Sequence, residues 1–167
     1  MTIAPNRIWL AALLLILAAV NASCQHSPHV GAVEQAQRFV LALNDKNIEA
    51  MLAVAATPFV YRNQEWVSAS DGSGFKLGAA ADRVMKDRNA LQSLFRELAA
   101  TVHIGQPTPV ENPPSKPDLV KRYLAGAEAE WSGLEMYVFL RGFGDVEHIA
   151  ILGVDGKSKA VRALYLN

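Results

Sequence analysis

The chain has 167 residues with 16 basic and 16 acidic side chains, so its formal charge at neutral pH is zero. A chain with this balance offers no basic patch or stripe for a phosphate backbone, and nucleic acid is therefore not an expected partner. The length suits one domain behind a short leader. A domain of about 140 residues buries enough apolar surface to fold without a disulfide or a structural metal.

The first 23 residues have the pattern of an export signal. The stretch from Met1 to Arg7 carries one positive charge and no acid, and an uninterrupted apolar run from Ile8 to Val20 follows it. As a helix this run would span roughly 20 Å, which is short of the roughly 30 Å hydrocarbon core of a bilayer. A cleavable signal peptide over residues 1–23 is therefore predicted in preference to a permanent transmembrane helix.

The only cysteine of the chain stands where this leader ends, so it has no partner for an internal disulfide. The run Val20-Asn21-Ala22-Ser23-Cys24 resembles the lipobox of bacterial lipoproteins, in which a cysteine after two small residues becomes the acylated N-terminus. The resemblance implies lipid attachment at Cys24 and anchoring to a membrane of the cell envelope. Asn21 departs from the aliphatic residue usual at its position. Ala22 also offers an ordinary cleavage site, which would release a soluble secreted or periplasmic protein.

The residue after the cysteine bears on which membrane holds the protein. Gln25 stands where an Asp would resemble the inner-membrane retention signal of enteric lipoproteins, so the outer membrane, facing the periplasm, is the expected location. Residues 24–31 are predicted to be the lipidated N-terminus and a short solvated tether. His26 and His29 lie in it without further ligands nearby, so no metal site and no cofactor is expected.

From Ala32 onward, apolar residues recur at steps of three and four and predict two successive helices. The first ends at an Asn-Asp-Lys-Asn break, whose last residue, Asn47, is a good N-cap for the second. The second helix stops before Pro58, which disfavours helix at the residue preceding it. The residues predicted to face inward are Val33, Ala36, Phe39, Val40 and Leu43, followed by Ile48, Met51, Leu52 and Ala55.

The middle of the chain is predicted to hold a third helix from about Arg88 to Thr101. Asp87 is placed to cap it, and its negative charge also suits a helix N-terminus. Short strands are predicted at 59–61, 65–67 and 102–104. For residues 79–86 and 118–125 the pattern fits either a helix or a strand.

The last third predicts three antiparallel strands, because strand-forming residues are concentrated in 134–140, 146–154 and 159–166. Asp155-Gly156 is a tight-turn signal between the last two. Helices at the start and strands at the end predict an α+β domain over residues 32–167 rather than a parallel α/β domain.

The order of these elements resembles the NTF2-like superfamily, which includes SnoaL-like and ketosteroid-isomerase-like proteins. The likeness is carried by the helix pair from Phe39 to Leu52, by Phe59-Val60-Tyr61, and by the run from Val84 to Leu91. It implies N-terminal helices packed on a curved antiparallel sheet, forming a cone with an internal pocket. Members of the superfamily are isomerases, dehydratases, ligand binders or dimerising modules, so a homodimer is possible and the fold alone leaves the function open.

An isomerase of this type needs a carboxylate base inside the cone and an acidic donor such as a tyrosine. The predicted strands offer Tyr61, His103, Tyr137 and His148 as candidate pocket residues, with Arg141 on the same strand as Tyr137. No spacing among them indicates a mechanism, and no catalytic residue is assigned.

The sequence is therefore compatible with two functions. The first is a non-catalytic, lipid-anchored envelope module that binds a small apolar ligand or a protein partner, which predicts an interior lined by aliphatic and aromatic side chains. The second is a ketosteroid-isomerase-like or dehydratase-like enzyme acting on a small hydrophobic molecule. It predicts an Asp, Glu or His buried in the cone with Tyr or Arg within hydrogen-bond reach.

Overall fold

The computed structural model describes residues 31–167, so the predicted leader, Cys24 and the tether lie outside the described part of the chain. Within that part no helix is both long and apolar enough to cross a bilayer. In residues 31–167 five helices and five strands follow one another, with the helices before the three strands at the end, and the predicted α+β class is confirmed. The elements are α1 (Ala32–Asn44), α2 (Ile48–Val54), β1 (Ala55–Ser68), β2 (Phe75–Met85), α3 (Arg88–Thr101), α4 (Lys116–Tyr123), α5 (Glu128–Trp131), β3 (Leu134–Phe143), β4 (Glu147–Asp155) and β5 (Val161–Leu166).

All five strands form one sheet in the order β2-β1-β5-β4-β3. The pairs β3–β4 and β4–β5 are antiparallel, as predicted for the C-terminal strands, and β1–β2 is antiparallel as well. The central pair, β1 with β5, is parallel, which the sequence does not predict. A parallel pair needs a long crossover, and here everything from β2 to β4 separates the two strands along the chain.

The face of the sheet covered by α1, α2 and α3 is called the inner face. Its core is built around three phenylalanines, one each from α1, β1 and α3: Phe39, Phe59 and Phe95. Their ring centroids lie 5.3–6.3 Å apart, with two edge-to-face contacts and one stacked contact. This geometry suits aromatic quadrupoles, and the rings fill the middle of the space between helices and sheet.

The opposite, outer face of the sheet is covered by α4 and α5 from the same chain. Trp131 of α5 is fully buried there, together with Tyr123 of α4 and Tyr165 of β5. The indole packs directly over β4 at Gly153, where a Cβ atom would lie 3.1 Å from Trp131 Cζ3. The middle of the sheet is therefore buried on both faces, which explains why residues 149–154 of β4 are all buried.

Several of the predicted boundaries change in the structure. The two short strands predicted at 59–61 and 65–67 are parts of the single strand β1, and the open segments 79–86 and 118–125 belong mainly to β2 and α4. The strand predicted at 102–104 is wrong, since these residues form a loop. The chain pairs with the edge of β3 only just beyond it, where Gly105 N–H donates to the Arg141 carbonyl at 3.1 Å.

The inward face predicted for the first helix is confirmed except at its beginning. Val33 is 43% exposed, and Ala32 is buried in its place. Hydrophobic spacing alone does not distinguish these two neighbours, because the contacts that α1 makes with the rest of the fold decide which side of its first turn is covered. The predicted caps Asn47 and Asp87 are confirmed, and each side chain accepts a hydrogen bond from the backbone N–H three residues later.

Candidate functional site

At one end of the sheet, three cationic or imidazole side chains line a single open pocket of about 260 Å³. His103 comes from the loop after α3, Arg141 from the end of β3, and His148 from the beginning of β4. Gly142 completes the lining, at a point where the pairing of β3 with β4 is irregular. We refer to this site as the His–Arg pocket.

The loop that carries His103 is held by hydrogen bonds to a side chain of α1 and to the backbone of β3. Asn44, the last residue of α1, donates from Nδ2 to the Ile104 carbonyl at 2.8 Å and accepts from the Ile104 N–H at 2.9 Å. Gly105 then lies so close to β3 that a Cβ atom would be 2.9 Å from the Arg141 carbonyl oxygen. A glycine is required for this approach, which brings His103 and Arg141 to the same place.

Arg141 is the most unusual residue of the pocket. One of its guanidinium nitrogens, Nη1, donates to the backbone oxygen of Asn167, whereas Nε is buried and has no hydrogen-bond partner within the described structure. Burial lowers the pKa of Arg141 from its ordinary value, because desolvation disfavours the charged form. Among residues 31–167, Arg141 forms no ion pair with an aspartate or a glutamate.

Tyr61 lies in β1 on the inner face and is only 8% exposed. Burial raises the pKa of its hydroxyl and the charge of Glu97 adds to this, while Arg141 and Arg83 act in the opposite direction. Arg83 also lies over the Tyr61 ring, 5.8 Å from its centroid, and binds Glu97 through two hydrogen bonds of 2.8 and 3.0 Å. Tyr61 is thus within electrostatic range of Arg141, although it does not line the His–Arg pocket.

Tyr137, the remaining candidate from the sequence, lies apart from this group. Its hydroxyl donates to Glu135 Oε2 at 2.7 Å, and Glu135 in turn accepts from Lys159 Nζ at 3.3 Å. Burial and the hydrogen bond to Glu135 raise the pKa of Tyr137 to about 12. This small network lies beside the turn between β4 and β5, four residues along β3 from Arg141, and the strand rise separates the two positions by roughly 13 Å.

His103, His148 and Arg141 therefore line one pocket in the structure. Tyr61 lies near Arg141 outside this lining, and Tyr137 lies further along β3. The sequence predicts Arg141 as a continuation of the strand of Tyr137. Strand alternation places both residues on one face, so the sequence does carry a signal for Arg141. Nothing in the sequence indicated that Asn44 and Gly105 would position the loop, because both act through contacts with distant backbone.

Isomerase chemistry of the expected kind requires an acid buried in the cone. The buried polar side chains of residues 31–167 are Arg62 and Asn167, and neither is an acid. Arg62 lies under the outer cover, where it binds Asp82 at 3.0 and 3.2 Å and the Ala125 carbonyl at 2.7 Å. The arrangement that the enzyme hypothesis predicts is therefore not found in this part of the chain.

The pocket is also poorly suited to a metal cation. Within residues 31–167 no three potential His, Cys, Asp or Glu ligands come together. The two histidines of the pocket share it with the guanidinium of Arg141, whose positive charge opposes that of a metal ion. The chemistry that this residue set favours is hydrogen bonding to a polar or negatively charged group.

A second concavity, the outer groove, has about 340 Å³ and lies on the outer face near the other end of the sheet. Its lining includes Val60, Val84, Leu134 and Arg162. Arg162 donates to the Pro58 carbonyl at 3.3 Å and lies 4.0 Å from an Asp155 carboxylate oxygen. Its charged group thus lies beside an aspartate, whereas Arg141 has no Asp or Glu partner among residues 31–167.

No protein-family model matches the chain, and no curated protein matches it either. Among solved structures it is similar to an NTF2-like protein of unknown function from Cytophaga hutchinsonii, with 8% sequence identity and a TM-score of 0.41. The alignment covers 84% of this chain and 92% of the other. A likeness of this size supports no conclusion about function, which has to come from the residues of this chain.

Proposed function

We propose that this chain is a lipid-anchored envelope protein whose domain binds a small polar molecule in the His–Arg pocket without transforming it. The observation that carries the proposal is the state of Arg141, a half-buried guanidinium in the wall of the pocket that pairs with no aspartate or glutamate side chain among residues 31–167. Charged groups withdrawn from water are usually paired, because desolvation is costly. A ligand that completes the coordination of Arg141 is the simplest compensation.

The chemistry of the pocket changes the binding partner expected from the sequence, which is a small apolar molecule or a protein. The apolar interior of the fold is occupied by Phe39, Phe59 and Phe95, whereas the open pocket presents imidazole and guanidinium groups. We therefore infer that recognition is polar and takes place at the end of the sheet. Since no acid is buried beside these donors within residues 31–167, binding without catalysis is favoured over isomerisation or dehydration.

The anchoring part of the proposal rests on the leader. Two or more acyl chains on one cysteine give stable membrane attachment, since each buried methylene contributes about 0.8 kcal/mol. The position of Cys24 after two small residues supports its acylation, and Gln25 favours the outer membrane over retention in the inner one. The binding domain would then work in the periplasm, close to the membrane surface.

Native mass spectrometry of the full chain, purified in detergent from its own cells, tests the binding function. We expect a fraction of the protein to carry a small molecule that is lost on unfolding and is recovered with unchanged mass after prolonged incubation. Protein that is always free of small molecules, or a bound molecule that is converted during incubation, would contradict the proposal.

Membrane fractionation tests the anchor separately. The variant Cys24→Ala should move from the membrane fraction to the soluble fraction, whereas the neighbouring Ser23→Ala, which keeps a small residue, should remain with the membrane. Unchanged membrane association of Cys24→Ala would refute lipid attachment at this residue.

A further inference from the structure

We propose that the ligand of the His–Arg pocket carries an oxyanion, a carboxylate or a phosphate group, which binds Arg141 with His103 and His148 as additional donors. This inference rests on the proposed function and gives it a ligand class. It follows from a comparison of the arginines in the fold and from the composition of the pocket wall.

Within residues 31–167 three arginines are buried or half-buried, and each of them contacts another group of the protein. Arg62 has a side-chain exposure of 7% and binds Asp82, and Arg162 has 32% and lies 4.0 Å from Asp155. Arg141 is the third, and its protein partner is the backbone oxygen of Asn167 rather than a carboxylate side chain. An aspartate side chain thus lies beside the first two guanidinium groups, whereas among residues 31–167 no aspartate or glutamate pairs with the one that lines the His–Arg pocket.

A guanidinium group has several N–H donors in a planar fork that matches the oxygens of a carboxylate or phosphate. The Asn167 oxygen uses a donor of Nη1 only, which leaves donors without a protein acceptor. An oxyanion bound at Arg141 would form charge-assisted hydrogen bonds in a partly desolvated place, where they are stronger than in water. It would also neutralise the charge that burial makes unfavourable.

The remaining wall of the pocket is compatible with an anion and not with a cation. His103 and His148 each have at least one N–H donor in either protonation state. No acidic side chain is part of the lining, so no negative charge in the wall repels the ligand. The volume of about 260 Å³ is below the range of most drug-sized sites and suits a small acid or a phosphate monoester.

Isothermal titration calorimetry with three probes tests this inference on the full chain in detergent, after dialysis has removed bound small molecules. The probes are succinate, inorganic phosphate and the neutral analogue succinamide, in a chloride buffer of constant ionic strength. We expect succinate, phosphate or both to bind, and succinamide not to bind. The anion that binds more tightly distinguishes a carboxylate ligand from a phosphate ligand.

Two outcomes with these probes would overturn the inference. Equal binding of succinate and succinamide would show that the pocket accepts ligands without reading their charge, and the proposed function would stand. No binding of either anion would refute the oxyanion, while the native mass measurement would still decide independently whether the domain binds any ligand.

Variants locate the bound anion. Arg141→Gln should weaken anion binding at least about tenfold, as expected for the loss of a charge-assisted contact. Arg162→Gln, the matched control in the outer groove, should leave it unchanged. Since Arg141 also contacts Asn167, His103→Gln on the exposed loop is a second variant that avoids a folding defect, and it should weaken binding several-fold. Equal weakening by Arg162→Gln, or no effect of both pocket variants, would overturn the assignment.

Discussion

Asn44 and Ile104 are 60 residues apart in the chain and form a reciprocal pair of hydrogen bonds, 2.8 Å from the amide nitrogen and 2.9 Å to the amide oxygen of Asn44. The end of α1 thereby satisfies both backbone groups of a fully buried residue that belongs to no regular element. Because His103 immediately precedes Ile104, this pair fixes the loop of the His–Arg pocket relative to the helices.

The variant Asn44→Ala should therefore destabilise the fold by about 2–4 kcal/mol, because it removes two hydrogen bonds and leaves two backbone groups of Ile104 unsatisfied. Urea unfolding followed by circular dichroism measures this change. Asn89→Ala, an exposed position in the first turn of α3, is the matched control and should change stability by less than about 0.5 kcal/mol. Equal effects of the two substitutions would show that the hydrogen bonds between Asn44 and Ile104 contribute nothing to stability.

Arg62 of β1 and Arg83 of β2 should differ in their contribution to stability. Arg62 is buried and joins Asp82 of β2 to the carbonyl of Ala125, just after α4. Arg83 forms an exposed pair with Glu97. Arg62→Ala should cost about 2–4 kcal/mol, because it removes a buried guanidinium with three hydrogen bonds, and Arg83→Ala about 0–1 kcal/mol. Chemical denaturation of both variants provides the comparison, and a larger loss for Arg83→Ala would contradict it.

The packing of α4 and α5 on the outer face of the sheet depends on the absence of a side chain at Gly153. A Cβ atom there would lie 2.7 Å from Leu134 Cδ1, 3.0 Å from Ala163 Cβ and 3.1 Å from Trp131 Cζ3. Gly153→Ala should destabilise the protein by about 1–3 kcal/mol through overpacking and should increase the exposure of the indole, measured by tryptophan fluorescence. Gly144→Ala, where an added Cβ meets nothing within 4 Å, is the control and should be nearly neutral.

All four tyrosines should ionise late in the folded protein. The pKa values of Tyr61, Tyr123, Tyr137 and Tyr165 are raised above 10.0, with burial as the largest cause in each case, and that of Tyr137 reaches about 12. Since the folded state holds these protons more tightly than the unfolded state, their contribution to stability is complete below about pH 10 and is lost as pH rises towards the folded-state pKa values.

Ultraviolet absorption of phenolate tests this prediction in native buffer and in urea. Titration of the native protein should lag behind that of the unfolded protein, and stability should fall above about pH 10. Tyr137→Phe should remove one late-titrating group. Phenolate formation at the same pH in both states would contradict the raised pKa values.

Features with local causes were predictable from the sequence. The third helix is found at Arg88–Thr101, and the side chain of Asp87 accepts from the Ala90 N–H at 2.9 Å, as its capping position predicts. The three C-terminal strands were predicted because residues that favour strands are concentrated there and a turn signal separates the last two.

Features that depend on distant partners were not predictable. The composition of residues 102–104 predicts a strand, but the side chain of Asn44 in α1 binds both backbone groups of Ile104. The same limit separates the candidate residues of the site. Tyr137 and Arg141 share a strand, yet only the pairing of β4 with β3 and the path of the loop after α3 place His148 and His103 beside Arg141.

The location of ligand binding is the central claim, and nuclear magnetic resonance mapping tests it most directly. A small-molecule extract of the protein's own cells would be added to the isotope-labelled full chain in detergent, and the shifted backbone amide signals assigned. We predict shifts concentrated at residues 103–106, at Arg141 and Gly142, and at His148. Shifts centred on Val84 and Arg162 of the outer groove, or no shifts at all, would contradict the account.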